Sequence, residues 1–180
     1  ALVVVCDAGA LGRHLYLALQ LRETGVPTVI ALNMMDEARA AGIAIDVAFQ
    51  SDLIRAQQTL QGVLEGYGQK DGIPTHTAWQ IKERDYGELA KKNKDEIRQK
   101  FGDEQFLTWR RSYSGRPPGG ESLEDCTNRV LPYFQKEILP RAAKGENVVV
   151  AAHGNSIRGM IKFLDQLDGD TIATVEIPWT

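Results

Sequence analysis

Four short apolar runs, each followed by residues at helical spacing, constrain this chain more than any other feature. They are LVVVC, TVIALN, IDVAFQS and NVVVAA, the last leading directly into His153-Gly154. Unbroken β-branched runs suit strands buried on both faces, the kind found in parallel sheets. After the first run, Leu11, Leu15, Ala18 and Leu19 fall at helical spacing, and Gly25 supplies a stop. After the second, Asp36 can cap a short helix, MDEARAAG, which Gly42 ends. After the third, Ser51 or Asp52 begins the predicted helix DLIRAQQTLQGVLEGYG. Strand and helix alternating in this way imply right-handed crossovers.

The middle of the chain breaks the pattern. From Gly68 to about Gly120 it is polar and irregular, with short helices predicted near Lys94–Phe101 and Glu104–Arg110. So long a stretch reads as a functional insertion rather than a linker. A helix is predicted from Glu121 to Leu139, with Pro132 kinking it. NSIRGMIKFLDQL predicts another helix, and TIATVEIP a closing strand. The predicted fold class is α/β, a three-layer, mainly parallel, Rossmann-like sheet with helices on both faces. Leu2–Cys6, Thr28–Leu32, Val47–Gln50, Val148–Ala152 and Ala173–Ile177 are expected in that one sheet.

Composition narrows the function. Hydrophobic residues make up 43% of the chain and charged residues 25%, enough apolar mass for a core. A net charge of -3 argues against nucleic acid as a partner. No apolar run is long enough to span a membrane, so a cytoplasmic location is expected. Cys6 and Cys126 make no disulfide framework, and no metal-ligand cluster is apparent.

Several separated motifs fit a phosphate-handling site. Ser51-Asp52-Leu53-Ile54-Arg55 puts a guanidinium just after a strand, at the carboxyl edge where such sheets bind ligands. Arg110-Arg111 adds adjacent cations, and arginine forks match phosphate oxygens. Any one of these alone would pass for a solvated surface charge. Glu83-Arg84-Asp85-Tyr86 sets a carboxyl group beside an arginine, and a partly enclosed glutamate can serve as general acid or base. His153-Gly154-Asn155 stands between a strand end and a helix start, where backbone N–H groups favour an anion.

With these motifs in hand, Val47–Thr180 resembles the 2,3-bisphosphoglycerate-dependent phosphoglycerate mutases of the histidine phosphatase superfamily. The collinear segments are DVAFQSDLIRAQQTL, ERDYGELAKKNKDE, FGDEQFLTWRRSY, ESLEDCTNRVLPY and VVVAAHGNSIRGMIKFLD. The resemblance implies that Arg55 contacts the transferring phosphate, Glu83 is the general acid/base, and His153 stabilises the transition state. It implies that Arg84, Tyr86, Lys94, Arg110, Arg111, Gly154 and Asn155 hold the substrate's phosphate and carboxylate. 2,3-Bisphosphoglycerate is the cofactor by the same resemblance, and a phosphorylated small molecule, phosphate or sulfate is the expected partner. Asp85 stands where the family has histidine.

The family's phosphohistidine segment, Arg-His-Gly-Glu, is missing. The three histidines are His14, His76 and His153, and none is followed by glycine except His153, already matched to another role. Ala1 to Asp46 instead resembles the later part of the GTPase domain of ferrous-iron transport protein B. That resemblance makes Asn33 and Asp36 a vestigial guanine-reading loop, with no phosphate loop to accompany it. The leading expectation is one hybrid domain, 1–46 joined to 47–180 with a seam between 36 and 47. Whether engineered or naturally fused, such a chimera would keep the pocket but lack mutase turnover. The alternatives are an active mutase or phosphatase and, third, a GTP-binding module.

Overall fold

The computed structural model describes residues 2–5, 28–31, 44–68 and 72–175. Strands β1 (Leu2–Val5), β2 (Thr28–Ala31) and β3 (Val47–Gln50) come first, then helix α1 (Ile54–Tyr67) and β4 (Thr75–Thr77). Helices α2 (Lys94–Phe101) and α3 (Asp103–Arg111) precede α4 (Leu123–Tyr133). A π-helical stretch, Phe134–Ile138, leads to α5 (Leu139–Ala143), β5 (Val148–Ala151), α6 (Gly154–Leu164) and α7 (Gly169–Thr174). The described residues form two compact units that interleave along the chain. The first takes residues up to Lys82 and Pro132–His153; the second takes Glu83–Leu131 and 154–175.

The first unit carries the strands, and every described pair is parallel, as the α/β pattern requires. β3 lies between β4 and β5, with Val47 opposite Val148 and Phe49 opposite His76. Val47, Ala48, Phe49 and all of β5 are buried, the continuous burial expected of strands covered on both faces. On one face, Ala56, Leu60, Leu64 and Tyr67 of α1 pack against Ala48, Val149 and Ala151. These helix residues recur every third or fourth position, so one stripe makes the contact. Burying a leucine as fully as Leu60 is worth about 1.5–3 kcal/mol. Phe49 stacks on His76 at 5.0 Å and meets Tyr133 edge-on at 6.3 Å.

The second unit has two apolar clusters. Leu89, Ile97, Phe106 and Trp109 close around α2 and α3, with Tyr86 packed against them. Leu123, Ile172 and Ala173 join α4 to α7, with Tyr113 and Ile161 alongside. Gly159 lets α6 lie close to α4: a Cβ there would sit 3.2 Å from the Thr127 Cα.

Four expectations need correcting. The helix expected from Ser51 or Asp52 begins at Ile54, and its N-cap Leu53 makes no side-chain cap. The closing strand is not formed at Ala173: Gly169–Thr174 is helical, because Asp168 caps it by accepting the Thr171 N–H at 2.7 Å. The cap outweighs the β-branched composition of TIATV. The predicted single sheet is two hydrogen-bonded sheets among the described residues, β1–β2 and β4–β3–β5. The Glu121–Leu139 helix starts at Leu123 and loses α geometry after Pro132, which has no N–H to continue the ladder. The predicted helices before Gly25 and Gly42, and most of the seam between 36 and 47, lie outside the described residues.

Candidate active site

In the first unit the parallel sheet brings two predicted residues together. Arg55 follows β3 and His153 follows β5, so both leave neighbouring strands at the same carboxyl edge. Arg55 Nε donates to His153 Nδ1 at 3.2 Å. Ser51 Oγ lies 2.7 Å from His153 Nε2, and also accepts the Leu53 N–H at 3.3 Å. Ser51 and His153 are buried, whereas Arg55 is exposed and can meet a dissolved anion. The sequence marks Ser51 only as a possible helix start and the head of the Arg55 motif; its contact with a histidine far along the chain leaves no local signal.

In the second unit Glu83 is held by three N–H groups. Its Oε1 accepts from Arg84 N at 2.8 Å, Asn155 Nδ2 at 3.0 Å and Asn155 N at 3.3 Å. Asn155 Nδ2 also approaches the Tyr86 hydroxyl at 3.3 Å, so Glu83, Tyr86 and Asn155 form one polar group. Gly154, buried, opens α6 immediately before it. Arg84 is only 3% exposed; it donates through Nη2 to the Trp109 carbonyl and stacks over Tyr86 at 4.6 Å. Its Nε has no hydrogen-bond partner. Asp85 uses its side chain locally, accepting the Gly87 N–H at 2.8 Å. Gly87 has φ +53° and abuts the Pro118 carbonyl, a position that admits no side chain.

Lys94 and Arg110 do not join that group. They line a cavity of about 270 Å³ with Tyr86, Lys91 and Lys92, over Leu89, Ile97, Phe106 and Trp109. The basic wall carries no acidic residue, and the Arg110 guanidinium lies 5.6 Å from the Phe106 ring. Arg111 is exposed at the end of α3. Asn33 and Asp36 lie outside the described residues.

Three residues that sequence reasoning passed over belong to this neighbourhood. Arg129 grips Glu121 with two hydrogen bonds, 2.8 Å to Oε1 and 2.7 Å to Oε2. Burial would lower the Arg129 pKa, yet the Glu121 bond and nearby charges raise it above the ordinary value. Arg158 donates twice to the Val175 carbonyl, and burial pulls its pKa down despite the charges of Glu83 and Tyr86. Among the described residues no group of three or more His, Cys, Asp or Glu could hold a metal ion. None of their helices is long and apolar enough to cross a membrane.

The sequence family described as histidine phosphatase superfamily (branch 1) matches residues 20–180. The chain belongs to that superfamily. Its match begins inside the segment read as GTPase-like, and no comparison supports the GTPase resemblance or a chimera. A 2,3-bisphosphoglycerate-dependent phosphoglycerate mutase of Nitrobacter hamburgensis is 54% identical over 136 residues, 76% of this chain and 65% of that protein. The same enzyme of Parvibaculum lavamentivorans is 51% identical over 150 residues, 79% of this chain and 71% of its own. This chain thus spans about two thirds of the length of such relatives. Among solved structures, a mycobacterial glucosyl-3-phosphoglycerate phosphatase with inorganic phosphate superposes with a TM-score of 0.65 at 22% identity. That match covers 79% of this chain and 69% of the other. The α-ribazole phosphatase of Shigella flexneri gives 0.61 at 17% identity, covering 77% and 68%. At these identities the superpositions establish the shared α/β fold.

Proposed function

We propose that this superfamily member binds a phosphorylated three-carbon acid of the phosphoglycerate type and acts on its phosphoryl group, as a mutase or phosphatase. The observation that carries the reading is the hydrogen bond between Arg55 and His153 at the carboxyl edge of adjacent parallel strands. Arg55, exposed and anchored through Nε to the buried His153, presents a guanidinium there whose other N–H groups supply charge and donors for a phosphoryl group. Glu83 fits the proton-transfer role: three N–H groups meet its Oε1, and Oε2 is the oxygen left to carry a proton. By the family resemblance, Arg84, Tyr86, Lys94, Arg110, Arg111, Gly154 and Asn155 would bind phosphate and carboxylate oxygens. The cations lining the 270 Å³ cavity suit an anion as small as a phosphorylated glycerate, so these residues also fit 2,3-bisphosphoglycerate as cofactor. When bound, that cofactor would supply the phosphoryl group that primes the enzyme.

Mutase relatives more than 50% identical support turnover. A second reading, a hybrid that binds without turning over, is favoured by one sequence fact: no Arg-His-Gly occurs anywhere in the chain. A phosphoryl group in transit needs a nucleophile to accept it. His76 is a poor candidate, since it lies on the exposed strand β4 and stacks on Phe49.

Two measurements test both readings. 3-Phosphoglycerate should raise the melting temperature more than sodium chloride of equal ionic strength; equal effects sink the proposal as a whole. Exchange between 3- and 2-phosphoglycerate, followed in an enolase-coupled assay with 2,3-bisphosphoglycerate present, then separates the two. Turnover above background, with acid-labile phosphate on the protein, establishes the enzyme. Binding with no turnover and no acid-labile phosphate establishes the hybrid.

A further inference from the structure

We propose that Glu121, locked in place by Arg129, is a positioning residue for Glu83. The inference rests on the reading of Glu83 as the proton-transfer group. Glu121 and Asp85 bond to one another twice through the main chain of residue 85. The Asp85 N–H donates to Glu121 Oε2 at 3.0 Å, and the Glu121 N–H donates to the Asp85 carbonyl at 2.8 Å. Residue 85 is therefore held on both of its peptide faces, two positions after Glu83. Arg129 also points Nη2 at the Glu83 carbonyl, a long contact of 3.5 Å.

The clamp is built to be rigid. Arg129 is 9% exposed and Glu121 23%, and their contact is bidentate, the geometry that fixes a guanidinium and a carboxylate in one plane. Glu121 Oε2 is shared between Arg129 and the Asp85 N–H, so the carboxylate cannot turn without losing one of them. Segment 83–87 has a further tie of its own, from Asp85 Oδ1 to the Gly87 N–H. The three N–H donors on Glu83 Oε1 depend on the placement of this backbone, because one of them is the Arg84 N–H itself. A reacting group displaced by ~1 Å can lose about a hundredfold in rate, so the clamp acts on chemistry without touching a substrate.

The test reads Glu83 through its neighbour. The Asn155 backbone and side-chain amide resonances should move with pH as the Glu83 carboxyl gains a proton, and Glu83→Gln should abolish that movement. Glu121→Ala should abolish or blunt it, while Glu121→Gln, which keeps an acceptor oxygen for the Asp85 N–H, should retain most of it. The double exchange Glu121→Arg with Arg129→Glu supplies the discriminating case. It restores an ion pair and should recover much of the melting temperature lost in Glu121→Ala. It cannot restore the Asn155 response, since a guanidinium cannot accept the Asp85 N–H. A response of native size in Glu121→Ala, or in the double exchange, overturns the proposal. If Glu121→Ala does not fold, the Glu121→Gln and double-exchange variants decide alone. Should Glu83→Gln leave phosphoryl transfer unchanged while the Asn155 responses follow this pattern, the acid/base reading fails and the positioning stands.

Discussion

Arg55 donates to Nδ1 of His153, and this fixes where the imidazole keeps its proton. A guanidinium has only donors, so Nδ1 must be the acceptor, and the ring proton sits on Nε2 facing Ser51 Oγ at 2.7 Å. Histidine 15N spectra should therefore show His153 as the neutral Nε2–H tautomer.

Sulfate binding should depend on the Arg55 guanidinium, which is exposed beside His153. Calorimetry at fixed ionic strength should show weaker sulfate binding in Arg55→Ala than in the native protein. An unchanged affinity in Arg55→Ala would contradict the assignment.

Ser51→Ala should lower stability by about 0.5–1.5 kcal/mol, because it removes the buried hydrogen bond between Ser51 and His153. Ser51→Thr, which keeps the hydroxyl, should lie between the two in a urea melt if the bond rather than the volume decides.

Cys126 should resist alkylation. Burial pushes its thiol up to about 12, with Arg129 pulling weakly the other way. Iodoacetamide at pH 8, followed by peptide mass spectrometry, should leave Cys126 unmodified in the native protein and label it in urea. The same shift has a signed consequence for stability. The folded pKa lies above the unfolded one, so the contribution is complete below about pH 8.5 and is lost as pH rises toward 12.

Much of the sheet was readable from residues alone. β3 and β5 are unbroken apolar runs, and burial on both faces leaves such a run few other structures to adopt. β4 was unreadable for the opposite reason: Thr75, His76 and Thr77 are all exposed and carry neither alternation nor apolar content. The helix at Gly169 has a legible cap in Asp168, but the β-branched residues of TIATV mask it. In the candidate site, Arg55, Glu83 and His153 were visible as motif residues. Ser51, Glu121 and Arg129 were not, since their partners are set by tertiary packing and not by neighbours in sequence.

Gly159→Ala should destabilise by about 1–3 kcal/mol through overpacking against Thr127. Pairing it with Thr127→Ala tests the cause. Removing the Thr127 Oγ1, 3.2 Å from that Cβ, should recover part of the loss, whereas simple additivity of the two changes would point elsewhere.

The order in which the units interleave has an evolutionary meaning. The second unit draws only on Glu83–Leu131 and residues after His153, so nothing before Glu83 contributes a residue to it. Glu83, Tyr86, Asn155, the Glu121–Arg129 clamp and both of that unit's apolar clusters are encoded downstream of the first strands. The front of the gene could therefore be exchanged without rewriting a single amino acid of the Glu83 hydrogen-bond group. The Arg55–His153 pair is placed differently, because both residues follow strands in the same unit as the chain's opening residues. A new N-terminal segment would change the unit around Arg55 and His153 first and leave Glu83 and its neighbours to be inherited whole.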